Sequence, residues 1–193
     1  MWANDAARPS ESLDLIARAQ RGDTDAVGAL YDLHHESIFR YVSLRVGDWR
    51  LAEDLTGDVF MRMIASLPAY RSVGLPFRAW LYRIAHNLLV DHFRKQHLHV
   101  VVPLDAAEET RDDSDPTSEV DHRLNAARLR HALSQLDPNQ REVVVLRFVS
   151  GLSLQETALA TGRSEAAIKS LQHRGLAALR RDLQPEREQV VAR

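Results

Sequence analysis

A chain of 193 residues, 45% of them apolar, is long enough to build one hydrophobic core or two small ones. It contains no cysteine, which excludes a disulfide framework, a thiolate zinc site and a cysteine nucleophile. The formal charge of −2 is strongly segregated: residues 105–121 hold eight acidic side chains against Arg111 alone, residues 122–193 hold twelve Lys and Arg against seven Asp and Glu, and residues 1–104 hold twelve of each. The opening MWANDAARPSES is polar, and no apolar run approaches the ~20 residues that span a bilayer. A soluble, unexported protein without membrane insertion is expected, and a reducing cytoplasm suits it.

Ser10 or Ser12 can cap a short helix ending near Gly22, and Asp23 can cap a longer one running to about Val46. Along the latter, Val27, Leu30, Tyr31, His34, Ile38, Val42 and Val46 form a stripe at helical spacing. Gly47 and Asp48 end that helix and start another, in which Leu51, Leu55, Val59, Met63 and Leu67 recur every four residues until Pro68. The segment PAYRSVGLP, proline at both ends, reads as a loop. A fourth helix from Phe77 to about His97 carries Phe77, Trp80, Leu81, Ile84, Leu88 and Val90 as its apolar positions. In this stretch Tyr70, Phe77, Trp80, Tyr82 and Phe93 alternate with Arg71, Arg78, Arg83, Arg94 and Lys95. Such interleaving supplies stacking surface and phosphate neutralisation for unpaired bases, or else a core with a solvated basic face.

The segment from Val100 to Asp121 mixes like charges with Pro103 and Pro116 and reads as a flexible acidic linker. Beyond it, helices are expected near Val120 to Gln135 and Asn139 to Ser150, with Pro138 breaking the first and Asn139 or Asp137 capping the second. The stretch LSLQETALATGRSEAAIKSLQHRGLAALRR then has the spacing of a helix-turn-helix. Ala158 allows close crossing, Gly162 permits the left-handed turn, and Ile168 and Leu171 pack back on the first helix. The second helix keeps a polar outer face, with Ser164 and Glu165 at its start, Lys169, Ser170, His173 and Arg174 along it, and Arg180 and Arg181 where cations suit the dipole. The expected fold is all-α: two small helical domains joined by the acidic linker, the second containing the helix-turn-helix.

With these motifs in hand the chain resembles a known family. PFRAWLYRIAHNLLVDHFRK is similar to the part of bacterial group 4 (extracytoplasmic-function) sigma factors that melts and reads the downstream promoter element. LAEDLTGDVFMRM is similar to the neighbouring helix that grips RNA polymerase, and the stretch from Leu133 to Arg180 resembles the family's C-terminal promoter-reading domain. The resemblance implies a region 2 domain over 10–98, a linker over 99–121, a region 4 domain over 122–183 and a tail over 184–193. It also implies a subunit without catalysis or cofactor, monomeric when free, that directs core RNA polymerase to one class of promoters and is held inactive by an anti-sigma factor.

Carried over by residue, the resemblance places Asp54 and Asp58, with Leu55 and Phe60 beneath them, against the coiled-coil clamp of the largest polymerase subunit. It gives the loop Ala69 to Leu75, with Tyr70, Arg71 and Ser72, to an everted base of the −10 element. Trp80, Arg83, Asn87, Asp91 and Arg94 border the unwound strand, where Asn87 offers a base edge both donor and acceptor. Ser164, Glu165, Ala166, Lys169, Ser170, His173 and Arg174 read the −35 duplex. The chain departs from the family's habit at Gly57, usually glutamine, at Thr157 and Thr161, usually aliphatic, at Leu171, often arginine, and at His86, often arginine beside Asn87.

Nine histidines raise a metal-site alternative, but no set offers three or four ligands on one rigid face, so no metal is expected. Glycine-rich phosphate loops and nucleophile elbows are missing too. The remaining alternative is a helix-turn-helix repressor or activator whose first domain senses a ligand or dimerises. That reading leaves the aromatic and basic stretch from Pro68 to Lys95 without a purpose.

Overall fold

The computed structural model describes residues 9–98 and 128–183, and all of their regular structure is helical. The linker over 99–121, the start of the next helix before residue 128 and the tail over 184–193 lie outside the described residues. In the N-terminal unit, α1 spans Pro9–Gln20, α2 Thr24–Val46, α3 Trp49–Ser66 and α4 Phe77–Leu98, with a short 3₁₀ turn over Leu67–Ala69. In the C-terminal unit, α5 covers 128–134, α6 Pro138–Val144, α7 Leu154–Thr161 and α8 Glu165–Leu183.

Local chemistry sets most boundaries. The Asp23 carboxylate accepts the Asp25 and Ala26 N–H groups at 3.0 and 3.1 Å, filling orphan donors at the start of α2. Gly47 ends α2 in the left-handed region at φ 78°, and Asp48 caps α3 by accepting Leu51 N–H at 2.9 Å. Asp137, with Pro138 at the first helical position, caps α6. That helix was expected to run regularly from Asn139 to Ser150. It begins one residue earlier and widens to a π turn over Val145–Val149, where Ser150 N–H donates to Val145 O at 2.8 Å.

The N-terminal core is built from Leu30, Ile38, Tyr41 and Val42 of α2, Val59 and Met63 of α3, and Leu81, Ala85 and Leu89 of α4, all buried. Each large aliphatic side chain so buried contributes roughly 1.5–3 kcal/mol. The inward face of α4 differs from the sequence expectation. Val90 is 45% exposed and Trp80 and Ile84 are only half-buried, while Tyr82 and Leu89 are inside. Leu81, Ala85 and Leu89 define the inward line, and Val90, one residue beyond it, lies about 100° round the helix.

In the C-terminal unit Val143 of α6, Ala158 of α7 and Ile168 and Leu171 of α8 form one buried cluster, with Leu154 packed against it. At Gly175 α8 comes so near α6 that a Cβ would lie 2.8 Å from Val144 Cγ2 and 3.4 Å from Gln140 Cβ. Gly57, on the exposed face of α3, has nothing within 4 Å of its Cβ position. These two mid-helix glycines therefore predict opposite outcomes. Gly57→Ala should raise stability in urea denaturation by about 1 kcal/mol, the propensity difference. At Gly175→Ala the same gain is outweighed by overpacking of roughly 1–3 kcal/mol, so net destabilisation is expected, and stabilisation by both changes would contradict the packing described.

A second outcome concerns acid. The Asp23 carboxyl is held below its ordinary value by the Ala26 N–H and then by the Arg18 guanidinium at 2.8 Å. A carboxylate lowered on folding contributes stability that is present above its unfolded pKa and lost as pH falls through the folded value. On acidification below about pH 4, the thermal midpoint should fall further for the unaltered chain than for Asp23→Asn, and parallel curves would contradict this assignment.

Candidate nucleic-acid interface

The helix-turn-helix is fixed at each corner. Ser153 and Glu156 close a reciprocal capping box at the start of α7, with Glu156 N–H donating to Ser153 Oγ at 3.1 Å and Ser153 N–H to Glu156 Oε2 at 2.7 Å. Gly162 turns the chain at φ 67°, and Arg163 N–H returns to Ala158 O at 3.1 Å. Ser164 Oγ accepts Ala167 N–H at 3.2 Å and so caps α8, leaving its O–H as a donor.

The expected −35 residues then fall outward. Ser164, Glu165, Ala166, Lys169, Ser170, His173 and Arg174 are all exposed, while Ile168, Leu171 and Gly175 are buried on the opposite side. Leu171, where the family often carries arginine, is thus part of the core and not of the outer face. Thr157 stays inside and satisfies its hydroxyl by donating to Ser153 O at 2.9 Å, and Thr161 is buried as well.

Three of the arginines in the basic stretch 122–193 hold the unit together. Arg141 donates to Leu133 O at 2.7 Å at the end of α5, and Arg147 reaches Gln172 Oε1 of α8 at 3.1 Å and the Leu152 carbonyl. Arg163, in the turn, reaches Asn139 Oδ1 at 2.6 Å and lies 3.9 Å from Glu142, a carboxylate only 2% exposed. No sequence signal separates these guanidiniums from phosphate ligands, since their carbonyl partners lie on other elements. The exposed cations of α8 are Lys169, Arg174, Arg180 and Arg181.

In the N-terminal unit the residues expected at the −10 element divide into inner and outer sets. Tyr70 is 5% exposed, and its hydroxyl donates to Leu75 O at 2.9 Å. Burial pushes its phenol above the ordinary value, so it remains a donor. Tyr70, Phe77 and Trp80 form a ring cluster with centroids 4.7 to 5.5 Å apart. Tyr70, Phe77 and Tyr82 are therefore core residues rather than open stacking surfaces, and Trp80 is the half-exposed member.

Trp80, Arg83, Asn87, Asp91 and Arg94 recur at three- or four-residue intervals and lie along one side of α4, where Arg83, Asn87 and Arg94 are exposed. Arg94 Nη2 holds Asp91 Oδ1 at 3.1 Å. Arg71 and Ser72 are exposed on the loop, with Val73 91% exposed at its tip. On α3, Asp54 and Asp58 are exposed above buried Leu55 and Phe60, and Phe60 packs against Tyr31 at 4.7 Å. Among the described residues no three His, Asp or Glu come together as metal ligands, and no helix is long and apolar enough to cross a membrane.

Residues 30–98 match the model for sigma-70 region 2, and residues 126–179 match that for sigma-70 region 4. The ECF RNA polymerase sigma factor BldN of Streptomyces coelicolor is 41% identical over 182 residues, covering 92% of this chain and 67% of that protein. SigX of Bacillus subtilis, also an ECF RNA polymerase sigma factor, is 33% identical over 168 residues, covering 84% of this chain and 86% of its own. The solved structure of CnrH in complex with the cytosolic domain of CnrY matches with a TM-score of 0.66 at 28% identity, over 86% of this chain and 93% of that one. With both regions present in order and relatives matched over most of their length, the chain belongs to the extracytoplasmic-function family of RNA polymerase sigma factors.

Proposed function

We propose that the chain works in the cytoplasm, without catalysis of its own, as a region 2 domain over 10–98 and a region 4 domain over 122–183, joined by a linker over 99–121 and followed by a tail over 184–193. It brings core RNA polymerase to promoters through two DNA surfaces of different kinds. The outer face of α8, with Ser164, Glu165, Ala166, Lys169, Ser170, His173 and Arg174, reads a −35 duplex in the major groove. Loop 70–76 and the outward side of α4 take the opened −10 strand, with Trp80 stacking, Asn87 on a base edge and Arg83 and Arg94 on phosphate. Asp54 and Asp58 over Leu55 and Phe60 meet a basic helix pair on the largest polymerase subunit, where exposed charge speeds association more than it sets affinity.

The observation that carries this reading is the outward line on α4. A half-exposed indole, two arginines and an asparagine follow one another on a helix whose opposite side is closed core. A helix bordering only solvent has no need of that order. Regulation follows from the same faces. CnrH is solved with the cytosolic domain of CnrY, and an anti-sigma partner covering α3 or α8 would silence this chain, which is monomeric when free of it. The anti-sigma reading predicts co-purification from the native cell under non-inducing conditions; recovery only as free chain or with polymerase would contradict it.

The two DNA surfaces predict separable defects. Lys169→Ala with Arg174→Ala should weaken upstream duplex binding, each lost phosphate contact reducing the salt slope by about 1 and a lost base contact costing roughly 1–3 kcal/mol. Trp80→Ala with Asn87→Ala should leave that binding nearly intact and impair open-complex formation by roughly 1–3 kcal/mol per stacked base. A pre-melted bubble should restore part of the Trp80 defect and none of the Lys169 defect. Equal loss of duplex binding by both, with no response to the bubble, would contradict the assignment.

A further inference from the structure

Two carbonyl oxygens at the entry to loop 70–76 face one side chain from the far end of the unit. Gln20, the last residue of α1, donates from Nε2 to Leu67 O at 3.0 Å and to Tyr70 O at 2.8 Å, across 47 and 50 residues of sequence. A carboxamide oxygen cannot donate, so two carbonyl partners fix which way round the amide lies and use both of its hydrogens. Arg71 Nη1 adds bonds to Pro68 O at 3.1 Å and Tyr70 O at 2.9 Å, and the Tyr70 hydroxyl ties the far side at Leu75 O. Gly74 at φ 78° completes the tight tip that Ser72 and Val73 push outward.

We infer that Gln20 is a positioning residue for the −10 strand: by holding both entry carbonyls it presents the loop, whose Tyr70 ring packs on Trp80, as a fixed rim for an unpaired base. The inference rests on the reading of loop 70–76 as a base-capturing surface. It adds a determinant in α1, ahead of residue 30 where the region 2 match begins. Arg71 braces the loop from within and moves with it, whereas Gln20 ties it to a separate helix. Together with the Tyr70 ring packed on Phe77 and Trp80, that second tie fixes the start of the loop relative to the core. A loop ordered beforehand does not have to be ordered by the DNA, so the anchor acts on affinity for the captured base and not on the rest of the strand.

The test uses holoenzyme assembled from the full chain and core polymerase on fork-junction promoter DNA with an unpaired −10 strand, intact or abasic at single positions. Unaltered holoenzyme should favour intact over abasic DNA at one position by roughly tenfold, the worth of a stacked base. Gln20→Leu should reduce that ratio to below about twofold while abasic-strand and −35 duplex binding stay within about twofold. Gln20→Glu keeps the length but turns a second oxygen toward the two carbonyls, and should lose the ratio as fully; a residue that merely filled space would tolerate it.

Retention of discrimination by either folded variant would overturn the role of Gln20. So would a parallel fall in abasic-strand and −35 duplex binding, which would mark general loss of structure. If the unaltered holoenzyme discriminates at no position, the base-capture reading itself fails and the inference with it.

Discussion

Everything the C-terminal unit offers to DNA depends on how closely α8 lies against α6. At Gly175 there is no room for a side chain, because a Cβ would stand 2.8 Å from Val144 Cγ2. That approach, with Ile168 and Leu171 buried against Val143 and Ala158, sets the depth and rotation of α8 together. Once rotation is set, the side facing out is no longer a choice: Lys169, Ser170, His173 and Arg174 are what remains. The left-handed residue at Gly162 and the Arg163 contacts to Asn139 and Glu142 hold the turn that delivers the helix at that angle.

The N-terminal unit solves a different problem. On the proposed reading, a surface for an opened strand must be aromatic enough to stack and firm enough not to collapse onto its own rings. Here Tyr70 and Phe77 lie under Trp80, so the exposed part of one indole rests on a packed aromatic base. Arg94 is paired with Asp91 and still exposed, and Arg83 is the outward arginine nearer to Trp80 along α4.

Much of this was legible in the chain because the signals are local. Asp23, Gly47, Asp48 and Gly162 mark helix ends through bonds to residues a few positions away, and each acts as its type dictates. The outer face of α8 was legible for the same reason, since Ile168 and Leu171 fix the period. What could not be read were the contacts that join distant segments. Gly175 looks like a helix weakness until α6 is laid beside it, and Gln20 is an unremarkable helix terminus until the loop comes back to it. Arginines 141, 147 and 163 carry no local mark that separates them from surface charge, because their partners lie on other elements. On α4, an aromatic and basic alternation left two readings open for each ring, and only burial separated Tyr82 from Trp80.

The central claim is that both surfaces serve one event, the start of transcription by a polymerase that cannot find the promoter alone. The most direct measurement is in-vitro transcription with purified core polymerase, the full chain and promoter DNA from the native genome. Run-off product that appears only when the chain is added, and from a defined subset of promoters, is the predicted result. No initiation from core at any promoter, or repression of a holoenzyme that was already competent, would contradict the account.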